Sequence, residues 1–450
     1  MAGPGVVVLG GGLSGVATAD ALVEAGVTDV TVVERGPALG GLAGSFEHEG
    51  RFYPLGYHHI LHRDHTLHFF LDRIGALSDV RWRRIRMLFD VGGGRAYDLG
   101  TPRGFFGFPM SVRDKAGFVR LMLKAFGKRD WSEWEDRSAA DLIDTYAGSG
   151  VRTALFERLT RLKFELPCDE VSGAWLGARL HYREGSAPLG YIPGANWTKI
   201  LCDGVTRLLA ERGVRVRLNV AVARLTTSNG RIREAELATG ERIGGDLFVS
   251  TVPTEVYLRL VGGDRTAELE RMRYSALISM ICATRQTVHP RAYWINLASL
   301  DRTACAIFLL SELNPTIGGP DETCVNFVTH LRGRDRPLFH ASDEELRARY
   351  ADDFRAVFGA ELEASWTHVS RVPMYSPVFG RSYHNPPVRS ASWENMYFAG
   401  NYRTFPSIVS TGTALGSGVE TGAAMLRDLG IRSTLARDAA EFRLRKMPRG

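Results

Sequence analysis

Residues 6–34 constrain this chain more than any other stretch. Val6-Val7-Val8-Leu9 is a short, apolar, β-branched run, the pattern of a buried strand. It runs straight into Gly10-Gly11-Gly12-Leu13-Ser14-Gly15, and an alanine-rich helical pattern follows from Val16 to Ala25. A second β-rich run, Val30-Thr31-Val32-Val33, ends on Glu34. Strand, glycine turn, helix, strand and acid, in that order, make the dinucleotide-binding fingerprint in the context it requires. Gly10 permits the tight turn, Gly12 lets a pyrophosphate approach the backbone, and Gly15 allows close helix–strand packing. The first helical turn, with Leu13 and Ser14, offers free N–H groups and a positive dipole end to phosphates. Glu34 stands 19 positions past Gly15, where its carboxylate accepts from a ribose hydroxyl and its charge disfavours a 2′-phosphate.

The next residues narrow the choice of dinucleotide. Glu34 is followed by Arg35-Gly36-Pro37-Ala38-Leu39-Gly40-Gly41-Leu42-Ala43-Gly44-Ser45. This second glycine pair resembles the extended motif of the flavin amine oxidase, protoporphyrinogen oxidase and phytoene desaturase superfamily. The resemblance implies FAD, with Arg35, Gly40, Gly41 and Leu42 in the loop that wraps its pyrophosphate. Leu42 stands where many amine oxidases carry Arg, as it does in the desaturase and sugar-mutase branches. A second landmark lies near the C-terminus, in Asn395–Asn401 and then Ser410-Thr411-Gly412-Thr413-Ala414-Leu415-Gly416-Ser417-Gly418. It resembles the superfamily's C-terminal flavin motif, which implies cofactor contacts at Gly400, Asn401, Ser410 and Thr411. Asn401 replaces the usual Asp. The resemblance extends to about residue 428 and adds Val222, in the middle block, to the FAD-binding residues.

The fold class expected from these landmarks is α/β. A discontinuous Rossmann-like FAD-binding domain (GR2-type) is built from 1–60, 190–262 and 388–430. Inserted between its parts, 61–189 and 263–387 form an α+β substrate domain of mixed sheet and helices, and 431–450 form a basic tail. Composition agrees with a large folded protein: 450 residues, 44% hydrophobic and 24% charged. A balance of 56 basic against 50 acidic residues favours anionic ligands mildly and gives no case for nucleic acid. The five cysteines (168, 202, 282, 305, 324) are widely spaced, without CxxC or Cys/His clusters, the usage of a reducing compartment. No apolar run is long enough to cross a bilayer, and a cytoplasmic location is expected.

Tyr57, His58 and His59 lie in the segment that, by the resemblance, passes near the flavin, and they are the candidate catalytic residues. His58 and His59 are candidate bases, and no metal is expected, because Asp64 alone among Cys, Asp and Glu falls at a matching spacing from the three histidines 58, 59 and 62. Lys163 and Arg179 are candidate substrate ligands, as a point charge and a bidentate fork for an anionic group. Tyr293, Arg371 and Tyr375 are candidate pocket residues. Residues 104–128 read as a basic amphipathic segment, with Phe118, Leu121, Met122 and Ala125 set against Arg113, Lys115, Arg120, Lys124 and Lys128. Such a helix is either a lid or a peripheral membrane contact. The expected activity is FAD-dependent oxidation, with hydride leaving a C–H or C–N bond of a small-molecule sugar, glycolipid or specialised-metabolite intermediate. The alternatives are a redox-neutral sugar mutase resembling UDP-galactopyranose mutase, and a flavin-bound protein without turnover.

Overall fold

The computed structural model describes residues 3–128, 130–182, 188–194, 196–299 and 301–444. Its first sheet is wholly parallel, in the order Met396–Phe398, Leu247–Ser250, Val6–Leu9, Val30–Val33, Arg215–Arg217. The two central strands are buried at every residue, as their unbroken apolar runs require in a sheet covered on both faces. Three distant parts of the chain therefore meet in one sheet. The helix Leu13–Glu24 packs against the C-terminal helix Thr411–Asp428. Small residues allow it: a side chain at Gly418 would collide with the Ser14 carbonyl, and one at Gly422 with Ala21. Hydrogen bonds fix the contact, Ser14 Oγ donating to the Ala414 carbonyl at 2.8 Å and Thr18 Oγ1 to that of Gly418 at 3.0 Å.

A second, seven-stranded sheet is mixed, in the order Ala364–Pro377, Tyr274–Thr284, Thr323–Leu331, Ala306–Leu309, Trp294–Leu297, Met87–Asp90, Ala96–Tyr97. All its pairings are antiparallel except that of Trp294–Leu297 with Met87–Asp90. Tyr274–Thr284 is buried along its whole length. Helices from 112 to 182 lie beside this sheet and share a core of their own. Val222–Ser228, Arg231–Leu237 and Arg242–Gly244 form an antiparallel ribbon, whose first turn uses positive φ at Asn229 (51°) and Gly230 (70°). No helix among the described residues is long and apolar enough to cross a membrane.

The basic tail from 431, which shows no clear packing signal in the sequence, is packed in part. Leu435–Glu441 is a helix with Leu435 and Ala439 buried, and Phe442 meets Phe69 edge-on at 5.9 Å. The basic character of the stretch concealed two apolar residues four positions apart, enough for one buried helical face. Residues 445–450 lie outside the described residues.

Candidate active site

The glycine turn has the geometry a phosphate requires. Gly10 adopts φ +100°, and a side chain at Gly15 would collide with the Gly10 carbonyl. A Cβ at Gly12, by contrast, would meet nothing within 4 Å, so open space lies above this residue. Gly12 is the N-cap of the first helix and no side chain caps it, which leaves the first-turn N–H groups, including those of Leu13 and Ser14, to a ligand. Gly40 (φ +122°) and Gly41 (φ +58°) fold the second glycine loop against the first, with Gly40 donating to the Gly11 carbonyl at 2.8 Å. Glu34 sits at this junction and accepts from the N–H groups of Gly11 and Gly36, both at 2.7 Å. Val222 begins its strand nearby, since Val220 donates to the Glu34 carbonyl at 3.1 Å. Arg35 is exposed and Leu42 half-buried.

The C-terminal motif is arranged differently. Ser410 caps the Thr411–Asp428 helix, accepting from Thr413 N–H at 3.1 Å. Asp64 approaches the same helix end, where its carboxylate accepts from Gly412 and Leu67 N–H groups and from Ser410. Burial still pushes the Asp64 carboxyl up to about 6, against the pull of those bonds. Asp64, weighed in the sequence only as a metal ligand, thus joins the start of the His65–Arg73 helix to the C-terminal one. With its carboxyl raised from 3.8 to about 6 in the fold, the folded state binds more protons across that window, so the stability of the parent protein relative to Asp64→Asn is expected to fall as pH rises from about 4 to about 6, read from urea unfolding. Asn401 donates from Nδ2 to the Tyr375 carbonyl at 3.2 Å, and Gly400 N–H donates to Ser417 at 3.0 Å. An ionised aspartate at 401 would have no hydrogen to give that carbonyl.

Beside these motifs lies a cavity of about 170 Å³ between the mixed sheet and the helices over it. The segment Tyr57–His59 forms one wall and is anchored at both ends. Leu55 N–H donates to the Gly44 carbonyl at 3.3 Å, and Ile60 and Gly190 exchange two bonds at 3.0 and 2.8 Å. Tyr57 stacks on Phe308 at 4.1 Å and shares a hydrogen bond with Tyr375. His59 Nδ1 lies 3.2 Å from the Tyr293 hydroxyl, and His58 Nδ1 lies 3.1 Å from the Gly56 carbonyl. Tyr293 itself is buried behind that wall. Burial drives His58 down to about 4 and His59 to about 3, the latter with help from His58 and Arg179. Both rings are therefore neutral at physiological pH and weak as bases.

Two cations project into this apolar space. Lys163, from the helix Glu157–Phe164, places Nζ 5.3 Å from the centre of the Tyr375 ring. Arg179, from the helix Gly173–Tyr182, lies 5.7 Å from the centre of Trp175. Among the described residues no carboxylate faces either one. Burial, reinforced by Arg179, pulls Lys163 down to about 7. His330, absent from the sequence expectations, is buried against them with Nδ1 unpartnered, and burial and the two cations hold it well below the usual histidine value. Its signal in the sequence was a titratable residue inside the apolar strand Thr323–Leu331.

Arg371 does not join them. It pairs with Asp343 at 2.7 Å and donates to the Ala341 carbonyl, also at 2.7 Å, away from the cavity. The strand ladder is irregular between Val372 and Ser376, and this bulge breaks the two-residue alternation that would have put Arg371 and Tyr375 on one face.

The unfolded chain keeps the Lys163 proton up to the ordinary lysine value of 10.5, whereas the folded chain loses it near 7. The unfolded state therefore binds more protons between those values, and this group's contribution to stability rises with pH across the window. Below about pH 7 its destabilising charge is fully present. The stability gap between Lys163→Met and the parent protein is expected to narrow as pH rises from about 6 to about 9, read from urea unfolding.

The profile of the family described as Flavin containing amine oxidoreductase matches residues 13–426. The chain belongs to this family. It is a flavin-dependent oxidoreductase, and the open, uncapped glycine turn suits the phosphates of such a cofactor. The coproporphyrinogen III oxidase of Mycobacterium tuberculosis (strain ATCC 25618 / H37Rv) is 26% identical over 413 residues, covering 82% of this chain and 87% of that protein. Among solved structures, a provisionally assigned protoporphyrinogen oxidase from Exiguobacterium sp. 255-15 has a TM-score of 0.74 at 17% identity, covering 95% of this chain and 99% of that one. Reduced UDP-galactopyranose mutase has a TM-score of 0.72 at 14% identity, covering 98% and 97%. The structural likeness concerns the fold.

Proposed function

We propose that this flavin-dependent oxidoreductase binds FAD and takes hydride from a C–H or C–N bond of a sugar, glycolipid or specialised-metabolite intermediate that carries an anionic group on an apolar frame. One observation carries the substrate side of this reading: Lys163 and Arg179 stand without a facing carboxylate, among the described residues, in a cavity walled by aromatic and aliphatic side chains. A substrate carboxylate or phosphate would complete their pairing, Arg179 as a fork and Lys163 as a point charge. The apolar walls favour a hydrophobic body over a bare sugar. FAD, held in a GR2-type domain, would lie along Gly10, Gly12, Gly15 and the Gly40-Gly41 loop, with Glu34 at the ribose. When bound, the flavin supplies the two-electron acceptor. His59, held neutral partly by Arg179, becomes more basic when an anion offsets that charge, and is our candidate to take the proton released from substrate. The unpaired thiols agree with a reducing, cytoplasmic setting.

The test begins with the absorbance spectrum of the purified protein and of the cofactor released on denaturation. Anaerobic mixing with candidate anions should then bleach the oxidised flavin. Coproporphyrinogen III, named for the mycobacterial relative and a polycarboxylate on a hydrophobic macrocycle, is the first to try. A colourless protein that takes up no FAD overturns the cofactor reading. Turnover that occurs only after the flavin has been reduced beforehand replaces oxidation with a redox-neutral reaction.

A further inference from the structure

Six large apolar side chains are exposed among the described residues, and five of them lie between 106 and 126. On the helix Val112–Gly127 they form one row: Val112 (85% exposed), Val119 (45%), Leu123 (67%) and Phe126 (41%). Their spacing, completed by exposed Ala116, alternates four and three residues and so tracks a single helix face. Phe106, 71% exposed, is held beside this helix because Lys115 Nζ donates to its carbonyl at 2.8 Å. The apolar residues singled out in the sequence face the other way or sideways. Leu121 and Ala125 are buried, and Phe118 and Met122 half-buried. The helix is thus apolar on two sides, and only one of them is used by the fold.

Charge identifies what covers the other side. Between 101 and 128 the chain carries six Lys or Arg and a single acid, Asp114; of the six, Lys128 is paired with Glu133 at 2.6 Å. Asp114 turns back to accept from Ser111 Oγ at 2.7 Å, while its own N–H donates to the same hydroxyl at 3.1 Å. A second copy of this chain meeting the face symmetrically would set like charges against each other. An apolar row flanked by cations complements a bilayer with anionic headgroups. We propose that the outer face of Val112–Gly127, together with Phe106, docks on an anionic lipid surface. The buried side of the same helix packs on Gly173–Tyr182, which carries Trp175 and Arg179, so the docked bilayer lies behind the cavity's helical roof.

The experiment is co-sedimentation of the full-length protein with phosphatidylcholine vesicles, with and without phosphatidylglycerol, at low and high salt. Binding should be about tenfold stronger to the anionic vesicles and should fall with salt. Leu123→Glu and Val112→Glu should each weaken it about tenfold or more, while melting temperature and bound flavin stay unchanged, because both side chains are already largely in solvent. Arg113→Gln should weaken binding to the anionic vesicles alone, roughly fivefold. Absence of vesicle binding, or binding indifferent to Leu123→Glu, overturns the proposal. So does light scattering that shows a dimer which Leu123→Glu dissociates, since the face is then an interface between copies.

Discussion

Gly12→Val is expected to yield a folded protein that binds FAD at least about tenfold more weakly than the parent. At most turn glycines a side chain fails because the polypeptide itself is in the way. Gly15 is such a case, packed on the Gly10 carbonyl. Gly12 is not: its φ of −66° and ψ of 169° suit any L-residue, and an added Cβ meets no protein atom within 4 Å. What valine would occupy is the space above the helix N-terminus, where the cofactor's phosphates would approach. Its methyl groups would cost the cofactor about 1–3 kcal/mol of steric strain, besides lost N–H contacts, so that affinity falls at least about tenfold. Circular dichroism and the melting temperature without cofactor should match the parent protein. Isothermal titration with FAD should show the loss. Undiminished FAD binding in Gly12→Val would place the cofactor elsewhere.

Lys163→Met and Arg179→Met should separate activity from stability in opposite directions. Two cations that repel each other in an apolar cavity, with no facing carboxylate among the described residues, weaken the fold. Removing either one should raise the melting temperature at neutral pH. The same change leaves the substrate's anionic group without a partner, at a cost of about 2–5 kcal/mol, or roughly 30-fold to several thousandfold in kcat/KM. Flavin content should not change. Arg179→Lys should recover part of the loss by restoring charge without the planar fork. Unaltered turnover in both Met variants would show that the cations do not face the substrate. Loss of both activity and stability would mean that each cation has a structural partner instead.

The two ends of the chain were legible because their requirements are local. A positive φ at Gly10, close packing at Gly15 and free space over Gly12 are set within a few residues, and so is the acid at the end of the second strand. Family membership over 13–426 agrees with the resemblance carried by those motifs. The α/β fold class expected from those landmarks is likewise the one the chain has.

The cavity was legible only in part. Tyr57, His59, Lys163, Arg179 and Tyr375 do come together, but His330 enters from a strand whose sequence reads as core, and Arg371 leaves through a bulge that no alternation rule contains. The amphipathic segment at 104–128 was visible as a pattern, but which apolar row faces inward was not. Residue order determined the glycine turns, the strands and helices, and the kind of cofactor they suit, because backbone conformation and periodicity follow from neighbours along the chain. Tertiary structure alone decided which charges share the cavity, that Asp64 meets the start of a helix begun more than three hundred residues later, and which apolar row stays in water. Those depend on strand order and helix packing, where small residues such as Gly418 and Gly422 set the approach between segments that know nothing of each other in sequence.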